Sequence, residues 1–449
     1  MSATSASHVP GTGAFQYPPA TRSWYIVILL TIAYVFSFVD RYILSLLVEP
    51  IKQDLGLSDT QLGLLLGPAF AIFYILMGMP LGWLADRWRR TWLVGIGFAL
   101  WSAATIGCGL AKNFWQLLTA RMSVGIGEAT LSPCTMSIIA DSFPPERRGK
   151  PIAVYTAALS LGAGIASLIG AGVLVWAKTA PDMSFPVLGE LRAWQLTFIA
   201  VGLPGLVFAG LFFFVREPIR QINTKAESAL KDANPVDVVV YVGKRWPVFV
   251  GYVSLVCVMT IVAYAAQWFP AAFERTWGWP PERYAYVNAM VLLGTGPLTV
   301  WLSGWGSDKL TARGYRDGPL RILLAGALLL VPTATLAPLM PTPELAFVFI
   351  GLKTIGIAMV SAVSVTALLN LTPAPIRGQT VALYYIAISL TGLFLGPMTV
   401  GLLSEWVFGE ENLRYALAVT PLLYGLVPLI FAPITWRLYK QQAAALAAT

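Results

Sequence analysis

The chain has 449 residues, of which 57% are hydrophobic and 12% charged, and it carries a formal net charge of +8. That much apolar surface exceeds what a soluble core of this length buries, so the composition excludes an ordinary water-soluble domain and calls for lipid. The positive charge lies in short segments between apolar runs, a pattern that sets membrane topology, so it does not imply a nucleic-acid partner.

In chain order, a polar stretch over residues 1–22 holds the single histidine, His8, and lacks the basic, apolar and small-residue regions of a signal peptide; none is expected. Six apolar runs of membrane-spanning length follow: Trp24–Leu47, Thr60–Leu84, Trp92–Leu110, Phe114–Ala140, Pro151–Trp176 and Trp194–Val215. Together they predict a helical bundle over 23–215. Residues 216–245 are polar and mixed in charge and read as a linker. A second bundle over 246–440 is predicted from Pro247–Ala272, Tyr284–Gly306, Leu320–Met340, Leu345–Leu371, Thr380–Leu403 and Leu413–Tyr439, with a tail at 441–449. The fold class is therefore an all-α membrane protein of 12 transmembrane helices. Cys108, Cys134 and Cys257 lie inside separate apolar runs, at no metal or disulfide spacing, and read as packing residues.

Placing both termini on one side gives that side 20 Lys and Arg, against seven on the other and three within spans. By the positive-inside rule the termini are expected in the cytoplasm. Short outer loops without an N-glycosylation sequence suggest a bacterial inner membrane.

The halves repeat. Gly82-Trp83-Leu84-Ala85-Asp86-Arg87 and Gly304-Trp305-Gly306-Ser307-Asp308-Lys309 share one pattern 222 positions apart, and the Arg-Gly pairs at Arg148 and Arg377 lie 229 apart. Two echoes in matching order indicate duplication of a six-helix unit, as in many secondary transporters.

On these motifs the sequence resembles the major facilitator superfamily. Gly82, Asp86, Arg87 and Arg90 match the cytoplasmic motif between spans two and three, with Trp88 where glycine is usual, and Arg121, Gly125 and Gly127 match the fourth-span motif. Val39-Asp40-Arg41-Tyr42, Arg121 to Ala129 and Ile139-Ala140-Asp141 resemble the spinster branch, which is linked to sphingolipids and lysophospholipids. The resemblance implies two pseudo-symmetric six-helix bundles and transport by alternating access. It also implies a latch on the linker side, in which Asp86 meets the start of the eleventh helix and Asp308 the start of the fifth, with Arg87, Arg90, Arg148 and Arg377 around them. Helix dipoles favour such contacts.

Five ionisable residues fall within spans: Asp40, Arg41, Arg121, Glu128 and Lys353. Charges this deep are costly, about 2.5 to 3.5 kcal/mol each on an insertion scale, so they are expected to face the interior and to have partners. Without an intramembrane histidine, a carboxylate must carry any coupled proton. Glu128 is the first candidate and Asp40 the second, because partial desolvation favours the neutral acid. Protonating Glu128 would free Arg41 to hold an anionic headgroup. Arg121 completes the network, and Lys353 is expected to face the cavity, with Tyr264, Gln267 and Asn288 as further lining groups.

The expected activity is secondary transport of a small amphipathic substrate, anionic or zwitterionic, coupled to protons and without other cofactors, by a monomer. A multidrug or small organic anion transporter is the alternative. A membrane-embedded lipid-modifying enzyme is more distant, since no P-loop, zinc cluster, intramembrane His-Asp pair or nucleophile elbow occurs.

Overall fold

Apolar runs of this length must satisfy their own backbone polar groups in lipid, and they do so as helices. The computed structural model describes residues 17–144, 147–179, 184–185, 189–220, 235–373 and 376–448. Eleven of its helical segments are long and apolar enough to cross a bilayer. The twelfth crossing is the fourth span, which the sequence predicts as one run and the structure divides into Phe114–Glu128 and Leu131–Ser142. At the break the Gly127 carbonyl accepts both the Thr130 hydroxyl, at 2.8 Å, and the Thr130 backbone N–H, at 3.3 Å.

The first six spans begin with Ala20–Leu46, capped by a short helix Val48–Leu55. Next come Asp59–Leu66 with Pro68–Arg87, then Arg90–Gly109, the divided fourth span, Gly149–Thr179 and Ala193–Phe214. A two-residue hairpin, Ser184–Phe185 with Gly189–Glu190, joins spans five and six. Residues 221–234 of the predicted linker lie outside the described residues, and its end forms a helix, Pro235–Lys244.

The second half opens with Trp246–Ala265, continued through a tight turn into Phe269–Trp277. Pro281–Ala312, Gly318–Leu336 and Pro343–Leu369 follow. The eleventh span is Arg377–Leu390, a π-turn at Thr391–Leu395, and Gly396–Leu403. The predicted twelfth run is broken near Phe431 into Leu413–Ile430 and Ala432–Ala448, so the expected tail is helical as far as it is described.

The repeat is written into the helix ends. Asn113 caps the fourth span by accepting from the Gln116 N–H, and Thr342 caps the tenth from the Leu345 N–H, 229 positions later. Arg148 donates to the Phe143 carbonyl at 2.9 Å and Arg377 to the Thr372 carbonyl at 3.2 Å, at the same offset. Gly56 and Gly278 end the helices before spans two and eight with φ of 63° and 65°, 222 apart. These pairs fix the register between the halves residue by residue.

We call the side bearing the linker the linker face and the other the far face. Spans two and eleven cross tightly in their far-face portions. Pro397 lacks the N–H that would bond the Leu393 carbonyl, and that carbonyl instead faces Gly67, where a methyl group would sit 2.2 Å from it. A methyl at Gly401 would lie 2.5 Å from the Asp59 carbonyl. Nearer the linker face the same helices separate, and a methyl at Gly78, Gly82 or Gly378 would meet nothing within 4 Å. The halves are closed on the far face and parted on the linker face.

Candidate functional site: an interior charge cluster and a far-face clamp

Ser37, Asp40 and Arg41 share one side of the first span because residues three and four apart on a helix are neighbours. They meet the fourth span just before its break. Glu128, 1% exposed, accepts from the Ser37 hydroxyl at 2.6 Å, from Arg41 Nε at 2.8 Å and from Arg41 Nη2 at 2.5 Å, all on Oε2. Its Oε1 is buried without a partner. The Arg41 guanidinium lies 4.5 Å from the Phe70 ring centre and 5.3 Å from that of Tyr74, and its side chain keeps 19% exposure. Tyr264 of the seventh span is an electrostatic neighbour of Arg41.

Arg121 donates to the Asp40 backbone carbonyl at 3.2 Å. Both side chains are buried, and Asp40 Oδ1 and Arg121 Nε are left without partners. Such groups are costly unless bonded, so this cluster holds unused bonding capacity beside the Arg41–Glu128 pair.

The structure brings Asp40, Arg41, Arg121 and Glu128 together and sets Lys353 apart on the tenth span. Asn288 joins the halves by donating to the Tyr42 hydroxyl at 2.6 Å, with Ser167 at 3.4 Å. Gln267 is half-buried in the turn of the seventh span and makes no hydrogen bond among the described residues. Ser37, Phe70, Tyr74 and Ser167 were missed. Ser37 alone had a signal, its helical spacing from Asp40 and Arg41.

The predicted latch residues take different positions in this conformation. Asp86 and Asp308 are exposed and pair with nothing among the described residues. Arg87 folds back on its own helix, 4.2 Å from the Trp83 ring centre, and Lys309 repeats this over Trp305 at 4.5 Å. Arg90 is buried and bonds Asp141 of the first half and, at 2.7 Å, Glu217 at the start of the linker. Arg148 and Arg377 close the last turns of the spans before them. Among the described residues none of the six crosses between halves here, because the linker face is the open one.

The same physics operates on the far face. Asp59, fully buried, receives both terminal nitrogens of Arg275 at 2.7 and 2.8 Å, Lys52 at 2.6 Å and the Ser404 hydroxyl at 2.6 Å. Arg275 also holds Glu49 at 2.6 Å, and Lys52 holds Glu410 at 2.6 Å. Glu410 and Glu405, from the second half, accept the Asp59 and Thr60 backbone N–H groups at 3.1 and 2.9 Å, so they cap the second span of the first half. Lys178 and Glu282 add a pair between spans five and eight at 2.8 Å.

A separate apolar cavity of 470 Å³ opens in the second half between spans seven, eleven and twelve, lined by Val253, Cys257, Ile261, Leu383, Tyr384 and Tyr424 among others. Its inner end at Ile261 lies one helical turn from Tyr264.

Two related six-helix halves, clamped at one membrane face and parted at the other around buried charge, define a membrane transporter rather than an enzyme. The chain belongs to the major facilitator superfamily, whose sequence profile, described as Major Facilitator Superfamily, matches residues 30–316. It is 30% identical to an MFS-type efflux pump of Mycolicibacterium smegmatis over 92% of both chains. It is 24% identical to protein spinster of Drosophila melanogaster over 89% of this chain and 66% of that protein. Among solved structures it superposes on a bacterial homologue of the human lysosomal transporter spinster, inward-facing and unoccupied, with a TM-score of 0.78 and 26% identity over 96% of this chain and 99% of that one. Sequence and structure thus agree on the spinster branch.

Proposed function

We propose that the chain is a proton-coupled secondary transporter working by alternating access, with an amphipathic anionic or zwitterionic substrate such as a sphingolipid or lysophospholipid. The observation that carries this is Glu128, buried, holding Arg41 through one oxygen and bare on the other. A proton on Glu128 removes the charge that holds the Arg41 fork, and the fork then presents its donors to an anionic headgroup. Proton and headgroup therefore favour each other's binding, which is the linkage a coupled transporter needs. The apolar cavity one turn from Tyr264 supports an acyl tail as the other end of the substrate.

The excess of Lys and Arg at the linker face supports a cytoplasmic placement of that face, and short outer loops support a bacterial inner membrane; the conformation is then inward-facing. On the outer side the Asp59 clamp seals the pathway, and the Asp86 and Asp308 motifs engage when the molecule rocks to its other state. Likeness to an efflux pump favours a second reading, export of small organic anions through the same charge cluster.

Uptake of a fluorescent lysophospholipid into proteoliposomes under an imposed pH gradient tests the proposal. Accumulation that tracks the gradient is expected. Lipid flux indifferent to the gradient contradicts coupling, and flux of organic anions without any lipid flux selects the second reading.

A further inference from the structure

The first-half cluster is electrically balanced when its groups are ionised, since Asp40 and Glu128 offset Arg41 and Arg121. Lys353 is not balanced. It is 4% exposed, its Nζ lies 4.4 Å from the Phe269 ring centre, and among the described residues it has no hydrogen bond and no acid. A ring face attracts an ammonium but does not neutralise it, and a buried charge without a counter-ion is costly.

The register of the halves shows what this lysine faces. Caps at both ends place the tenth span 229 positions after the fourth, so Glu128 corresponds to Ile357, and Lys353 to Val124. Lys353 and Ile357 are four residues apart, hence on one side of the helix, with the lysine one turn nearer the far face. On the fourth span this is the side that meets the first span around Arg41, and on the tenth it meets the seventh span at Phe269. Position 263, which corresponds to Arg41 at the 222 offset of spans one and seven, is alanine. The second half has thus replaced an internally neutral ion pair with an unpaired cation.

We infer that Lys353 is an anion-binding group of the transport pathway and that the substrate carries net negative charge, as an acidic lysolipid or an organic carboxylate does. The inference rests on the proposed proton coupling at Glu128 and narrows its substrate. With Glu128 protonated, Arg41 and Lys353 are two uncompensated cations in the interior, one in each half. An acidic substrate compensates them, whereas the quaternary ammonium of a zwitterion adds a third positive charge. An anion shared by cations of both halves also gives the substrate a hold on each half as they rock.

The test measures binding of lysophosphatidylglycerol, D-galactonate and zwitterionic lysophosphatidylcholine to the purified full-length protein in nanodiscs, for the natural sequence, Lys353→Gln and Lys353→Arg. At least one acidic probe is expected to bind the natural protein more tightly than lysophosphatidylcholine. Lys353→Gln weakens that probe by roughly tenfold to hundredfold, leaves lysophosphatidylcholine unchanged, and Lys353→Arg restores most of the loss. Lys353→Met replaces Lys353→Gln if the amide disturbs packing, as a melting curve will show. Unchanged acidic-probe affinity in the glutamine or methionine variant overturns the inference, as does a natural protein that prefers lysophosphatidylcholine or binds neither acidic probe. Glu128→Gln, assayed in parallel for gradient-driven uptake, reports on coupling alone, so the two claims fail separately.

Discussion

The two halves share a backbone plan and differ in polar chemistry. Positions dictated by chain geometry recur: the caps Asn113 and Thr342, the closing arginines Arg148 and Arg377, the left-handed glycines Gly56 and Gly278. Polar centres do not recur. Where the third span begins, the buried cation Arg90 gathers Asp141 and Glu217, and where the ninth begins, the buried anion Asp317 gathers Arg321, Trp436 and Lys440. Inside the membrane, four mutually offset charges in one half face a lone lysine in the other. Duplication preserved what the fold requires and released what the substrate and the proton require.

The largest expected effect separates these two interiors. Arg121→Ala removes the bond to the Asp40 carbonyl and the cation that offsets the buried acids, and should lower stability by roughly 1 to 3 kcal/mol, whereas Lys353→Met removes a charge that has no partner among the described residues and should leave stability unchanged or raised. Thermal unfolding in detergent, read by intrinsic tryptophan fluorescence, distinguishes them, and equal losses would refute the contrast.

The halves meet at Asp59, and the next effect breaks that meeting. Asp59→Asn leaves Arg275 and Lys52 facing each other without their shared carboxylate, and should shift the population toward far-face-open states by roughly 1 to 2 kcal/mol, about tenfold. Double electron-electron resonance between labels at Lys112 and Glu411, both exposed on the far face, should gain a longer distance. An unaltered distribution would count against the clamp.

The smallest effect concerns the corner around Asp317. Burial pushes its carboxyl up, but hydrogen bonds from Trp436 and Arg321 and the Arg321 charge outweigh burial and hold it below the ordinary carboxylate range. A group depressed on folding contributes stability that is fully present above the unfolded value, roughly pH 4, and is lost as pH falls through the folded value. Asp317→Asn should therefore cost about 1 kcal/mol at neutral pH and progressively less in acid. Melting temperatures at pH 7 and pH 3 check the sign, and a penalty that grows in acid would contradict it.

Twelve crossings and the repeat were legible because bilayer thickness forces long apolar runs and loop motifs survive duplication. The break in the fourth span had one unread signal, Pro133, which has no N–H for the Ala129 carbonyl, and the close approach of Gly127 to Gly97 and Trp101 accompanies the turn there. Of the site, Asp40, Arg41, Arg121 and Glu128 were visible as charges with nowhere else to go. Their pairing was not, and Arg121 chose a carbonyl over a carboxylate. The far-face clamp was invisible for another reason. Glu49, Lys52, Asp59, Arg275, Glu405 and Glu410 lie at the ends of different spans and each reads alone as a loop charge, so only the fold shows that they converge. The expected linker-face latch illustrates the converse, since its residues could be named from the motifs while this conformation keeps them apart.

The central claim is that Glu128 carries the proton whose arrival frees Arg41. Glu128→Gln keeps an oxygen for Ser37 and Arg41 but cannot gain or lose a proton in the working range. In proteoliposomes this variant should exchange labelled substrate across the membrane at equal pH while failing to concentrate it under an imposed pH gradient. Gradient-driven accumulation equal to that of the natural protein would contradict the account.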